Sequence, residues 1–173
     1  FMSDGESSRV NTLKQKTLDS MIALRKEVAI EVAGYLDCEE PTFYDFPDNK
    51  LDIIPLLEIA KIIEYEIEKF KPVNIFTHFY GDLNIDHRQV AIAVATATRP
   101  KEESILNAVC SFEIPSSTEW NQGTGLMTFT PNLYVDIENY VDKKLRALSL
   151  YKNEMRKFPH PRSEQAIMSL INW

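Results

Sequence analysis

The run "VNIFTHFYGDLNIDHRQVAIAVATAT", residues 73–98, decides the fold. It opens with "VNIF", a short continuous apolar run of the kind carried by strands buried on both faces of a parallel sheet. It closes with a helical pattern from Arg88 to Thr98 that stops at Arg99-Pro100, because proline disfavours the α region for the residue before it. A strand, a polar loop and a helix in that order form one unit of a parallel sheet covered by helices. Ligands of such sheets bind beyond the carboxyl ends of the strands. The loop is therefore where site residues are expected: His78 ends the strand or opens the loop, and Asp82, Asn84, Asp86 and His87 crowd the start of the helix.

Working outward, the same alternation of periods continues. Apolar residues recur at helical spacing from Thr12 to Tyr35, with Gly34 near the end as a stop signal. The segment "CEEPTFYDFPDNK" predicts an extended piece and a loop. A second helix is predicted from Pro55 to Phe70, with proline in its first turn. Downstream, "ILNAVCSFEIP" and "LMTFTPNLYVDI" read as two further strands separated by "SSTEWNQGTG". Asp136 or Glu138 opens a periodic helix through Tyr151, "FPHPRS" breaks it, and a last helix begins near Ser163.

The expected fold is a single α/β domain over residues 1–173, a Rossmann-like three-layer sandwich with a mostly parallel sheet. A doubly wound sheet normally begins with a strand, whereas this sequence goes from "SDG" straight into a helix, so a first strand is expected upstream of Phe1. At the other end "AIMSLINW" stops inside an apolar helical pattern, and truncation is expected there too.

Composition narrows the function classes. The 173 residues are 44% hydrophobic, enough for one real core. The formal charge of −7 argues against nucleic acid and anionic membrane surfaces, which require a basic footprint. No apolar run approaches the ~20 residues of a membrane span, and the amino end carries no signal pattern, so a cytoplasmic protein is expected. Cys38 and Cys110 lie far apart with no CxxC neighbour and are expected to be buried small hydrophobes. Trp120, Trp173, Phe129 and Tyr134 are candidates for sugar stacking or for ordinary packing.

Within the loop, Asp82 or Asn84 is placed to cap the following helix. His87 has Asp86 beside it as a carboxylate to fix its tautomer, the arrangement metal-binding histidines usually have. On the pattern alone, a structural histidine and a metal ligand are both open. The "SSTEW" turn is read as reaching either this site or a neighbouring subunit.

"THFYGDLNIDHR" resembles the central motif of the PIG-L/LmbE-like de-N-acetylases, the enzymes related to N-acetylglucosaminyl-phosphatidylinositol deacetylase. In the family's order, "SDGESSR" is similar to the loop after its second strand, "ATATRP" to its next helix, and "FTPNLYVDIENYVDKKLRALSLYKNEMRKFPHPRS" to its carboxy-terminal pattern. The resemblance implies a zinc hydrolase that removes the acetyl group from a small N-acetylated sugar, and it is compatible with a homo-oligomer. It implies that His87 is a zinc ligand, that Asp86 helps to orient the site, and that Asn84 stands where many members have a catalytic histidine. It extends a substrate-facing role to Arg9, Asp82, Arg88 and Arg162.

Two departures qualify what is implied. Asparagine donates a hydrogen bond but shuttles no proton at neutral pH, so acid catalysis from Asn84 is in doubt. The family's His-Pro-Asp-Asp motif, source of its other ligands and its base, is absent from the sequence, since His160-Pro161 is followed by Arg162. A metal-free carbohydrate-binding or assembly protein on the same fold is the rival reading. A nucleotide-binding oxidoreductase fares worse, for want of a GxGxxG.

Overall fold

The computed structural model describes residues 1–9, 15–100, 105–121 and 128–172. The chain is mixed α/β, and among these residues it has five α-helices and one parallel sheet of two strands. Its contacts fall into two compact units, one made of Phe1, residues 3–45 and 130–173, the other of Met2 and residues 46–129.

In the first unit, helix α1 (Gln15–Tyr35) buries Ala29, Val32 and Ala33. It ends where Asp37 turns left-handed, at φ 59°, and Cys38 N–H reaches back to the Ala33 carbonyl at 2.9 Å. That turn carries Cys38 past the helix end and leaves it exposed, against the expectation of burial, while Cys110 is half-buried. Helix α1 packs against α4 (Val141–Leu150), which buries Ala147. Helix α5 (Glu164–Ile171) starts as the sequence predicts, with the Ser163 hydroxyl accepting from Ala166 N–H at 3.2 Å.

Glu154 is the electrostatic centre of this unit. Arg9 and Arg25 reach its Oε1 at 2.6 and 2.8 Å, and Arg162 pairs with its Oε2. The "SDG" turn supports them: Asp4 accepts the Glu6 and Ser7 amides, and Glu6 pairs with Arg25 at 3.1 Å. Gly5, at φ 69°, lies so close to the Arg25 guanidinium that a side chain there would collide with it. Burial raises the Glu154 pKa, but the three arginines outweigh it and hold the carboxyl below its ordinary value of 4.5. The group is depressed in the fold, so its stabilisation is complete above the unfolded value and is lost as pH falls through the folded one. Glu154→Gln should cost on the order of 1–2 kcal/mol at pH 7, given the partial exposure of the arginines. The gap to wild type should close in urea titrations as pH drops below about 4.5; a gap independent of pH would rule out the carboxylate as its source.

In the second unit, α2 (Leu56–Phe70) follows Pro55 at its N-cap, and Lys71 closes it in the left-handed region, with its N–H on the Ile67 carbonyl at 2.8 Å. Strand β1 (Asn74–His78) pairs in parallel with β2 (Ala108–Phe112), from Asn74 opposite Ala108 to His78 opposite Phe112. Helix α3 (Ile85–Ala97) joins them and lies on both β1 and α2. The core gathers Leu51, Ile59, Ala60 and Ile63 with Ala93, Val94 and Ala97. The small residues of α3 let the isoleucines of α2 approach its backbone, which explains an Ala-rich run that is otherwise only weakly amphipathic.

Three readings of the sequence change, the first being α4, which begins at Val141 and not at Asp136 or Glu138, after a 3-10 turn over Glu138–Tyr140. Helix α3 begins at Ile85, not Arg88, because Asn84 caps it earlier than the apolar period shows. Residues 128–137 of "LMTFTPNLYVDI" form no strand. Leu133, Tyr134 and Val135 are exposed and Pro131 has no N–H to give a ladder, so β propensity there meets no partner among the described residues.

Candidate functional site

Because β1 and β2 run parallel and in register, their carboxyl ends lie side by side. The loop after His78 and the loop after Phe112 therefore emerge together, and Asp82 of the first meets Ser117 and Thr118 of the second. The second loop is tightly folded: Glu119 accepts the Ser116 and Ser117 amides at 2.6 and 3.2 Å, and Thr118 N–H reaches the Ile114 carbonyl at 3.0 Å. Asn121 adds a hydrogen bond to the Gly81 carbonyl.

Asp82 is completely buried. Its Oδ1 accepts from Ser117 Oγ, from Asn84 N–H at 2.8 Å and from His87 Nδ1 at 3.0 Å, and its Oδ2 accepts from Thr118 Oγ1 at 2.6 Å. Burial pushes the Asp82 pKa up, but these hydrogen bonds prevail and hold it well below the usual carboxylate range. An ionised carboxylate only accepts hydrogen bonds, so the proton it shares with His87 sits on Nδ1. In the neutral ring the lone pair is then on Nε2, the arrangement of a metal-ligating or base-like histidine with a carboxylate behind it.

That carboxylate is Asp82 and not Asp86. Neighbours in a helix do not face each other. Asp86 instead accepts Asn49 N–H at 2.8 Å and Leu51 N–H at 2.9 Å, tying residues 49–51 to the first turn of α3. Burial raises its pKa, opposed by those two amides. Asn84 is the N-cap: its Oδ1 accepts from Asp86 N–H at 2.8 Å and His87 N–H at 3.3 Å, leaving the side-chain NH2 as its donor. Arg88 donates to the carbonyls of Asp82 and Leu83, both at 2.8 Å, so its guanidinium holds the loop. Arg9 and Arg162 are brought together on Glu154 in the first unit.

The sequence places His78 at the end of β1 but gives it no role of its own. Its ring stacks on His87, with centroids 4.2 Å apart and planes 12° apart, and meets the Phe112 ring at a tilt of 52° with centroids 5.2 Å apart. Its Nδ1 is buried with no hydrogen-bond partner among the described residues. Burial first, and His87 second, lower its pKa to about 4, so the ring is neutral at pH 7. Of the candidate stacking aromatics, Phe129 packs edge-on against Phe79 at 5.4 Å, Trp120 and Tyr134 are exposed, and Trp173 lies outside the described residues.

Strand ends that converge on a carboxylate–histidine pair give this mixed α/β chain a candidate site at the sheet's carboxyl edge. The family model of GlcNAc-PI de-N-acetylase, PIG-L, matches residues 1–98, more than half of the chain. The chain belongs to that family. Among solved structures it resembles N,N'-diacetylchitobiose deacetylase from Pyrococcus horikoshii, in complex with its inhibitor MPG, at a TM-score of 0.62 and 18% identity. That match covers 90% of this chain and 58% of the deacetylase, so the chain spans little more than half the length of that relative. No curated protein matches the sequence significantly. Among the described residues no helix is long and apolar enough to cross a membrane.

The family's zinc can be tested against these side chains. His87 suits it, with Nδ1 held by a buried carboxylate and Nε2 left for a metal. Among the described residues, however, no three His, Cys, Asp or Glu side chains come together as a metal site. They offer one prepared ligand where a catalytic zinc takes three from the protein.

Proposed function

We propose that this chain carries the His87 side of a de-N-acetylase site acting on an N-acetylglucosamine-type sugar. The observation that carries the reading is the Asp82–His87 pair at the carboxyl end of β1, in a chain of the PIG-L family. A water-soluble N-acetylglucosaminide is the best-supported substrate, given the disaccharide named for the structural relative. When bound in such a site, zinc activates a water and polarises the amide carbonyl. The chain's own part is to present His87 in one tautomer, with Asp82 fixing it and Asn84 offering an amide N–H. The remaining metal ligands would come from residues other than those described.

A second reading is favoured by Asn84, whose oxygen is committed to capping and whose amide transfers no proton: a sugar-binding protein without turnover. The test is acetate release from N,N'-diacetylchitobiose and N-acetylglucosamine by the protein as its gene encodes it. Wild type should release acetate and lose that activity to a chelator. His87→Ala should fall on the order of 100-fold or more, since even outer partners of a ligand reach that scale. Sugar binding without acetate release would establish the second reading. Full activity in His87→Ala would remove the proposed role of His87.

A further inference from the structure

We propose that His78 is a positioning residue for His87, and that its flat ring, stacked on His87 and in contact with Phe112, holds the His87 imidazole in the plane that keeps Nδ1 on Asp82. The inference rests on the reading of His87 as the working group of the site.

Asp82 alone makes one point contact with the imidazole, at 3.0 Å, and one hydrogen bond leaves a ring free to swing about it. A second restraint is needed to fix the plane, and His78 supplies it, nearly parallel at 12° with centroids 4.2 Å apart. His78 is itself fixed from the sheet. It stands opposite Phe112 in the ladder, and the two rings touch at 5.2 Å with a tilt of 52°. The hydrogen-bonding capacity of His78 is not what the fold uses, because Nδ1 is buried with no partner among the described residues. A polar ring kept there without hydrogen bonding on that nitrogen is kept for its shape. Flat rings at this separation prefer offset stacking, which restricts tilt more than contact with an aliphatic side chain does. The chain of support therefore runs from β2 through Phe112 and His78 to His87, and on to the carboxylate that Ser117 and Thr118 hold from the next loop.

The test reads the imidazole directly, without substrate or metal. In nitrogen-15 spectra of the histidine side chains of this chain, wild type should show His87 as a single Nδ1–H tautomer with a slowly exchanging proton. His78→Phe, which keeps the flat face and removes the unpartnered nitrogen, should preserve that signal. His78→Leu, apolar but not flat, should lose it to exchange and to the Nε2–H form. Urea unfolding of each variant separates loss of the signal from loss of the fold. The proposal is overturned if His78→Leu keeps the wild-type tautomer, or if His78→Phe loses it or fails to fold. Since acetate release is not measured, these outcomes are independent of whether the deacetylase reading holds.

Discussion

Asp82→Ala is expected to destabilise the protein by about 3–5 kcal/mol, the scale for removing one partner of a buried charged network. The side chain is fully buried and its oxygens receive Ser117 Oγ, Thr118 Oγ1, His87 Nδ1 and Asn84 N–H. Alanine leaves these donors without their acceptor, and each of the two buried ones, Ser117 Oγ and Thr118 Oγ1, costs about 1–3 kcal/mol when unmet. The loss is a large share of the 5–15 kcal/mol that hold a typical domain together. Asp82→Asn keeps the volume and one acceptor oxygen, so it should lose less, about 1–3 kcal/mol. The measurement is the urea midpoint of each variant, with Ser117→Ala and Thr118→Ala completing double-mutant cycles against Asp82. Coupling near zero in those cycles, or a loss below about 1 kcal/mol for Asp82→Ala, would show that the carboxylate is not the joint between the two loops.

That joint marks the limit of what the sequence discloses. The strand, the loop and the helix of residues 73–98 are written in local periodicity, and the helices Leu56–Phe70 and Glu164–Ile171 announce themselves through the caps Pro55 and Ser163. Position in the loop was legible for the same reason. Partners were not. Ser117 and Thr118 lie 35 and 36 residues from Asp82 and reach it only because β1 and β2 share a register that no local pattern encodes. The strand expected from "LMTFTPNLYVDI" fails over its described residues, 128–137, on the same ground from the other side: propensity is local, but a strand exists only where a second edge meets it.

The choice between the two carboxylates near His87 was decidable by a rule of geometry more than by composition. Adjacency in sequence favours Asp86, yet consecutive helical residues diverge, and the residue able to reach back across the helix start lies in the preceding loop. The arginines show the converse. Arg9, Arg25 and Arg162 are scattered through the sequence, and their common feature is Glu154, a residue to which the local sequence assigns no role. Residues to which a resemblance gives a substrate-facing role thus meet, in the fold, a partner the resemblance does not give.

Asp86→Ala puts the distinction between Asp82 and Asp86 to experiment. Asp86 is buried, and its carboxylate is bound to the amides of Asn49 and Leu51. Removing it strands two backbone donors at the foot of α3, and Leu51, only 1% exposed, is anchored in the core beside them. The variant should lose about 1–3 kcal/mol, chiefly from the buried Leu51 N–H left unmet, since the Asn49 N–H is open to hydration. Asp86→Asn, with one acceptor oxygen retained, should recover roughly half. The same variants carry the sharper readout. If Asp82 holds His87, the folded Asp86→Asn protein keeps the His87 Nδ1–H tautomer, and Asp82→Asn weakens it. If the tautomer survives Asp82→Asn and disappears with Asp86→Asn, the pairing runs through the helix neighbour after all. A charge five residues before the histidine would then be structural, and the adjacent one would belong to the site.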